Sequence, residues 1–194
     1  MQAKFIKSAA GADGFPEDTG AEIAFVGRSN SGKSSAINRI VAQTKLARVS
    51  KTPGRTQLIN FFDLGNEHRL VDLPGYGFAR VPDRLRREWR VLVEAYFEAR
   101  HSLAGLFLTV DIRRGLREGD ETMILMASEL AIPVAILLTK SDKQSRGAGT
   151  RQCLEVRKAV DDTIDVMRFS TVDGTGVEPA KARLLTWLSP QNGD

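Results

Sequence analysis

The chain has 194 residues, 42% of them hydrophobic and 27% charged, with a formal net charge of +4. That length suits one α/β domain with a sizeable core, and the balance excludes a disordered, collagen-like or repeat-array chain. A single cysteine, Cys153, excludes an internal disulfide; no apolar run reaches membrane-spanning length; and the mild basic excess permits contact with RNA without demanding it.

Residues 1–20 read as an N-terminal arm broken by Gly11, Gly14, Pro16 and Gly20, although Lys4 to Ala9 could form a short strand. Met1 to Asp18 lacks the continuous apolar core of a signal peptide, so a soluble cytoplasmic protein is expected, with no membrane contact. Glu22 to Val26 is a short apolar strand, followed by a glycine-rich turn. A helix runs from Lys33 to Val41, with Ile37, Ile40 and Val41 on one face. Residues 43–56 form a polar, basic loop. Gln57 to Leu64 and His68 to Asp72 are two strands joined through Gly65-Asn66. Pro82-Asp83 opens a helix to about Arg100, striped by Leu85, Trp89, Leu92, Val93, Tyr96 and Phe97.

Strands at Leu103 to Asp111, Pro133 to Thr139 and Val166 to Ser170 then alternate with helices at Arg117 to Leu130, Arg151 to Val160 and Val177 to Leu188. This alternation predicts a parallel sheet with helices on both faces and ligands at the carboxyl ends of its strands. The hairpin adds one antiparallel edge. Residues 21–189 form the domain, and 190–194 a C-terminal tail.

Gly27-Arg28-Ser29-Asn30-Ser31-Gly32-Lys33-Ser34 fits G-x-x-x-x-G-K-[ST] between a strand and a helix. Backbone N–H groups and the helix dipole there favour a polyphosphate, which Lys33 can reach, and the Ser34 hydroxyl can bind Mg²⁺. Asp72-Leu73-Pro74-Gly75 ends the hairpin: Asp72 can hold the metal through a water, and the Gly75 N–H can meet a γ-phosphate oxygen. Thr139-Lys140-Ser141-Asp142 ends another strand. The Asp142 carboxylate suits guanine N1–H and its amino group, whereas adenine would present an acceptor there. Lys140 packs its stem along the base and ribose. Thr139 stands where asparagine is commoner, and its shorter hydroxyl implies binding on the order of micromolar. Backbone N–H groups of Phe169-Ser170-Thr171 can face guanine O6. Thr56, preferred over Thr44 and Thr52 because it directly precedes a hairpin strand, can close over metal and γ-phosphate as a switch.

Gly27 to Ser35, Lys51 to Phe62, Leu70 to Phe78 and Leu138 to Lys143 together resemble the EngB-type bacterial ribosome-assembly GTPases, over roughly residues 4–188. The TPGRTQ stretch, the Tyr after DLPG and the Thr in the base motif discriminate best. The resemblance implies a Ras-like P-loop GTPase domain with a six-stranded mixed sheet, binding of GTP or GDP with Mg²⁺, and a role in maturing the large ribosomal subunit. It also implies that Gly54, Arg55, Thr56, Gln57 and Leu58 form the switch segment, with Ser34 and Thr56 as magnesium ligands. Arg146 to Thr150 reads as a loop.

Tyr76 occupies the position where many GTPases carry a water-orienting glutamine. Its ring is expected to point away, and intrinsic hydrolysis to be slow, roughly 10⁻⁴ to 10⁻² s⁻¹. Asn30 fits two readings: a K⁺ ligand beside the phosphates, or a loop residue that tolerates left-handed backbone. Arg80, Arg84, Arg86, Arg87 and Arg90 gather after the Asp72 motif, and Lys45, Arg48, Lys51 and Arg55 in the other loop. That charge suits docking of a monomer on ribosomal RNA. The rivals are a small P-loop kinase, against which the guanine-reading motif argues, and a GTP sensor with negligible hydrolysis.

Overall fold

The structure, a computed structural model, describes residues 2–47, 58–77 and 82–189. Among the described residues seven strands form one sheet: β1 (Lys4–Ala9), β2 (Glu22–Gly27), β3 (Ile59–Gly65), β4 (His68–Asp72), β5 (Leu103–Asp111), β6 (Val134–Thr139) and β7 (Asp165–Arg168). Their order is β1-β3-β4-β2-β5-β6-β7. Five α-helices among the described residues cover it: α1 (Lys33–Ile40), α2 (Asp83–Ala99), α3 (Glu118–Glu129), α4 (Arg146–Lys158) and α5 (Val177–Leu188).

The expected α/β class and Ras-like architecture hold, with two corrections to the sheet. It has seven strands, not six, and the antiparallel strand is not at the edge. β3 runs antiparallel to both β1 and β4, so β1 takes the edge beside it. The short strand that Lys4 to Ala9 could form is β1, although every residue in it except Ala9 is exposed and it carries no apolar alternation. Lys4 and Lys7 put charge on that edge and so discourage pairing with another chain.

Alternation on the strands divides the core between the two faces. Ile23 and Phe25 of β2 pack with Ile37 and Ile40 of α1 and Leu184 and Trp187 of α5. Ala24 and Val26 pack with Val93 and Tyr96 of α2 and Met123 and Ala127 of α3. Each fully buried large apolar side chain of this kind stabilises by about 1.5–3 kcal/mol. Gly105 is required on β5: a Cβ there would run into the Trp187 indole.

Two local readings also shift. The β3–β4 turn is Asn66-Glu67, with φ of 52° and 62°, the two positive values a tight twisted hairpin demands. α4 begins at Arg146, so the stretch to Thr150 is helix and not loop. The Ser145 side chain caps it, accepting from Ala148 N at 3.3 Å.

Residues 16–19 are tied to the body by a buried cluster. Glu22 and Arg100 are enclosed and paired. Tyr96 donates its hydroxyl to Glu22 at 3.0 Å. Arg100 also donates to Pro16 O at 2.7 Å, and Asp18 accepts from His101 N at 2.9 Å.

Candidate nucleotide site

Four stretches singled out in the sequence converge where β2, β4, β6 and β7 end. Residues 28–32 leave β2, and α1 starts after Gly32, whose φ of 97° is left-handed. Ala36 N donates to Gly32 O at 2.9 Å, Ser31 N to Arg28 O at 2.9 Å, and the Ser31 and Thr109 hydroxyls lie 2.7 Å apart. No acidic residue stands in the first turn of α1 and no side chain caps it. The amides and positive dipole end of this helix therefore suit an anion. Asn30 has a left-handed φ of 63°, which accounts for an asparagine there on backbone grounds alone.

Lys33 and Asp72 form a short, largely enclosed ion pair. The cation suited to phosphate and the carboxylate suited to a metal thus neutralise each other. Ser34 is half-buried in the first turn of α1. A hydroxyl and a carboxylate from adjoining elements are the hard oxygen donors Mg²⁺ accepts while keeping several waters, so these residues fit that ion. Among the described residues no cluster of three or more His, Cys, Asp or Glu could hold a metal by itself. Thr56, with Gly54, Arg55 and Gln57, lies outside the described residues; Leu58 is half-buried just before β3.

The segment after β4 continues the pairing with β2. Leu73 N donates to Phe25 O at 3.0 Å, Tyr76 N to Gly27 O at 3.3 Å, and Ser29 N to Tyr76 O at 2.7 Å. The indole N–H of Trp89 donates to Pro74 O at 2.8 Å. The Tyr76 side chain turns toward α3, where its hydroxyl donates to Asp120 at 2.5 Å.

At the end of β6 the Thr139 hydroxyl reaches the Ser31 carbonyl and stands 3.1 Å from Val110 O. Lys140, at a left-handed φ of 58°, places its Nζ 2.5 Å from Asn30 O and 2.9 Å from Asp111. The two loops are therefore tied directly to each other. The Arg113 guanidinium, and then Lys140, hold the Asp111 carboxyl well below the usual range.

Ser141 is buried and Asp142 follows it in a one-turn helix. Partial burial pushes the Asp142 carboxyl up. The Ser170 hydroxyl, donating at 2.9 Å, and Lys143 outweigh that and hold it below its ordinary value. Ser170, fully buried, also accepts from Val172 N at 3.1 Å and Asp173 N at 3.3 Å. The Phe169 and Ser170 amides are committed to Leu138 O and Thr175 O, at 2.8 Å and 2.9 Å. Of the three N–H groups expected to face a base, only that of Thr171 has no acceptor among the described residues.

Sequence reading missed Asp120, Asp111, Thr109 and Trp89 as parts of this site. For Asp120 a signal existed: it stands three residues after Arg117, and a carboxylate there can accept from the amide that opens the helix. Arg84 and Arg86 on α2 pair within the helix with Glu88 and Asp83. Arg87 and Arg90 are exposed and have no ion pair among the described residues. Arg48, Lys51 and Arg80 lie outside the described residues, and Lys45 is exposed. No helix among the described residues is long and apolar enough to cross a membrane.

Residues 22–140 match the family described as 50S ribosome-binding GTPase. A protein of Coxiella burnetii strain CbuK_Q154, described as a probable GTP-binding protein EngB, is 49% identical over 98% of this chain and 95% of its own length. The protein of the same description from Shigella boydii serotype 4 is 48% identical over 97% of this chain and 91% of its length. A crystal structure of a probable GTP-binding protein EngB superposes with a TM-score of 0.70 at 26% identity, covering 87% of this chain and 98% of that one. The Era protein of Aquifex aeolicus, bound to GDP and aluminium fluoride, superposes with a TM-score of 0.65 at 20% identity over 89% of this chain and 57% of that one; at that identity it speaks for the fold alone.

Proposed function

The chain belongs to the EngB family of GTP-binding proteins, within the ribosome-binding GTPases, and we propose that it is a slow GTP-hydrolysing switch in the assembly of the large ribosomal subunit. The observation that carries this reading is the direct bonding of the phosphate loop to the base-reading loop through Thr139 and Lys140. Purine choice and phosphate grip then belong to one rigid surface. Asp142, held ionised by Ser170, would accept from guanine, and the Thr171 N–H would face O6. Lys33 and the amides of residues 29–34 would hold the phosphates. Ser34, Asp72 and Thr56 would hold Mg²⁺, which would supply positive charge to the phosphates when bound.

Slow hydrolysis follows from the side chain at residue 76. A phenol committed to Asp120 does not orient an attacking water as an amide would. The turnover expected without a partner is roughly 10⁻⁴ to 10⁻² s⁻¹. If Asn30 binds K⁺, turnover rises in K⁺ over Na⁺; equal turnover in both salts removes that role. Exposed Arg87 and Arg90 on the helix that follows the Asp72 segment favour docking on ribosomal RNA. A role in cell division, a cytoplasmic location and a monomeric state complete the reading.

The decisive test is sedimentation of the full chain with large-subunit precursors in GTP, GDP and no nucleotide, together with single-turnover phosphate release. Binding that tracks GTP, with measurable release, is expected. Binding indifferent to nucleotide would overturn the switch, and absent release would favour a GTP sensor.

A further inference from the structure

Tyr76 joins two parts of the protein that the family motifs treat separately. Its main chain is stitched to the phosphate loop by the Gly27 and Ser29 bonds. Its side chain is almost wholly buried, with the ring edge-on to Trp89 at a centroid distance of 5.5 Å. The hydroxyl ends on Asp120, which is fully enclosed. The other oxygen of Asp120 accepts from Arg117 N at 2.9 Å at the start of α3. Asp120 is thus fixed by the helix and in turn fixes the phenol.

Gly75 is held between these stitches. A Cβ built on it would lie 3.3 Å from Gly27 O and 3.5 Å from Ser29 N, so its backbone rests directly on the phosphate loop. Its own N–H meets no acceptor among the described residues, although its neighbours Leu73 and Tyr76 both donate to β2 and the loop after it. An amide left open, packed against a phosphate-binding turn and pinned on both sides, is arranged for an incoming oxygen.

Burying a carboxyl group to tether a phenol is a costly way to fill space, because apolar side chains of similar volume pack as well or better. Burial pushes both groups up, the Tyr76 phenol further through the charge of Asp120. What the pair adds over an apolar contact is a fixed direction.

We propose that Asp120 is a positioning residue for γ-phosphate recognition: by anchoring the Tyr76 hydroxyl to the start of α3 it keeps the Gly75 N–H in place beside the phosphate loop, and so favours GTP over GDP. The proposal rests on guanine-nucleotide binding at that loop. It makes α3 a structural support for the switch, although α3 carries none of the nucleotide motifs.

The test uses the full chain and three variants: Tyr76→Phe, Asp120→Asn, and the two combined. Affinity for GDP and for a non-hydrolysable GTP analogue is measured by calorimetry, alongside thermal midpoint and single-turnover hydrolysis. Tyr76→Phe should weaken the analogue about fivefold to tenfold while GDP stays within about twofold, the loss expected for one well-placed hydrogen bond. Hydrolysis should slow with it. The single Phe variant also leaves Asp120 buried with one donor fewer, which lowers the midpoint. Adding Asp120→Asn removes the buried carboxylate but leaves its amide N–H facing the Phe ring, so the midpoint should recover in part without recovery of analogue affinity. If analogue and GDP weaken together, or the analogue recovers with the midpoint, the pair is merely structural and the proposal is overturned. If the unaltered chain binds neither nucleotide, the guanine-nucleotide reading fails and takes the proposal with it.

Discussion

Thr139, in the loop proposed to read the base, bonds as a threonine where an asparagine is commoner. Its single hydroxyl proton spans to the Ser31 carbonyl, joining β6 to the phosphate turn. A second tie comes from Lys140, whose Nζ donates to Asn30 O. At Asp142 the chemistry turns on sign. An amide there would set a donor against guanine's donors, so Asp142→Asn should weaken GTP by about tenfold to a hundredfold and remove its advantage over ATP; competition for a fluorescent GDP analogue measures both. Asp111 supplies a pH signature. Its folded pKa lies below the unfolded value of about 3.9, so the stability it adds is fully present above that pH and lost as pH falls through the folded value. Asp111→Asn should therefore flatten the acid limb of stability below about pH 4, read from urea midpoints at successive pH values. The residues legible from sequence were those in short contiguous motifs, such as Gly27 to Ser34. The bond of Asp120 to Tyr76 was not, because the two lie 44 positions apart and only the fold brings them together.

Among the elements, those whose burial is one-sided or complete were the ones the sequence described well. β4, β5 and α5 lie where periodicity puts them, because each presents an apolar set to one of the two core layers. β1 lies where Lys4 to Ala9 allowed a strand although it is nearly all exposed, whereas the start of α4 escaped because Gly147 and Gly149 argue against helix while the Ser145 cap and packing against Arg168 argue for it. The clamp formed by Glu22, Arg100, Tyr96 and Asp18 explains why the segment after β1 stays on the body. Arg100→Ala leaves Glu22 buried without its cation and should cost about 3–5 kcal/mol. Residues 16–19 should then become sensitive to protease while GDP affinity holds, since this cluster is at the opposite end of β2 from the phosphate loop.

At the scale of the whole molecule, the chain leads from the Asp72 segment at the carboxyl end of the sheet into a helix with positive charge unpaired among the described residues. α2 follows the Asp72 segment in the chain and carries Arg87 and Arg90. If these two meet RNA phosphates, replacing both with alanine should lower the slope of log affinity against log salt by about 2, across unrelated RNA sequences, as measured by filter binding. The two tryptophans divide along the same axis. Trp187 sits over Gly105 on the far layer of the core, 4.9 Å from the Phe107 ring, whereas Trp89 touches Tyr76 and holds Pro74. The molecule therefore contains its own optical gauge: one indole whose emission should change colour and brightness when the segment beside the nucleotide rearranges, and a second that stays constant as the internal standard.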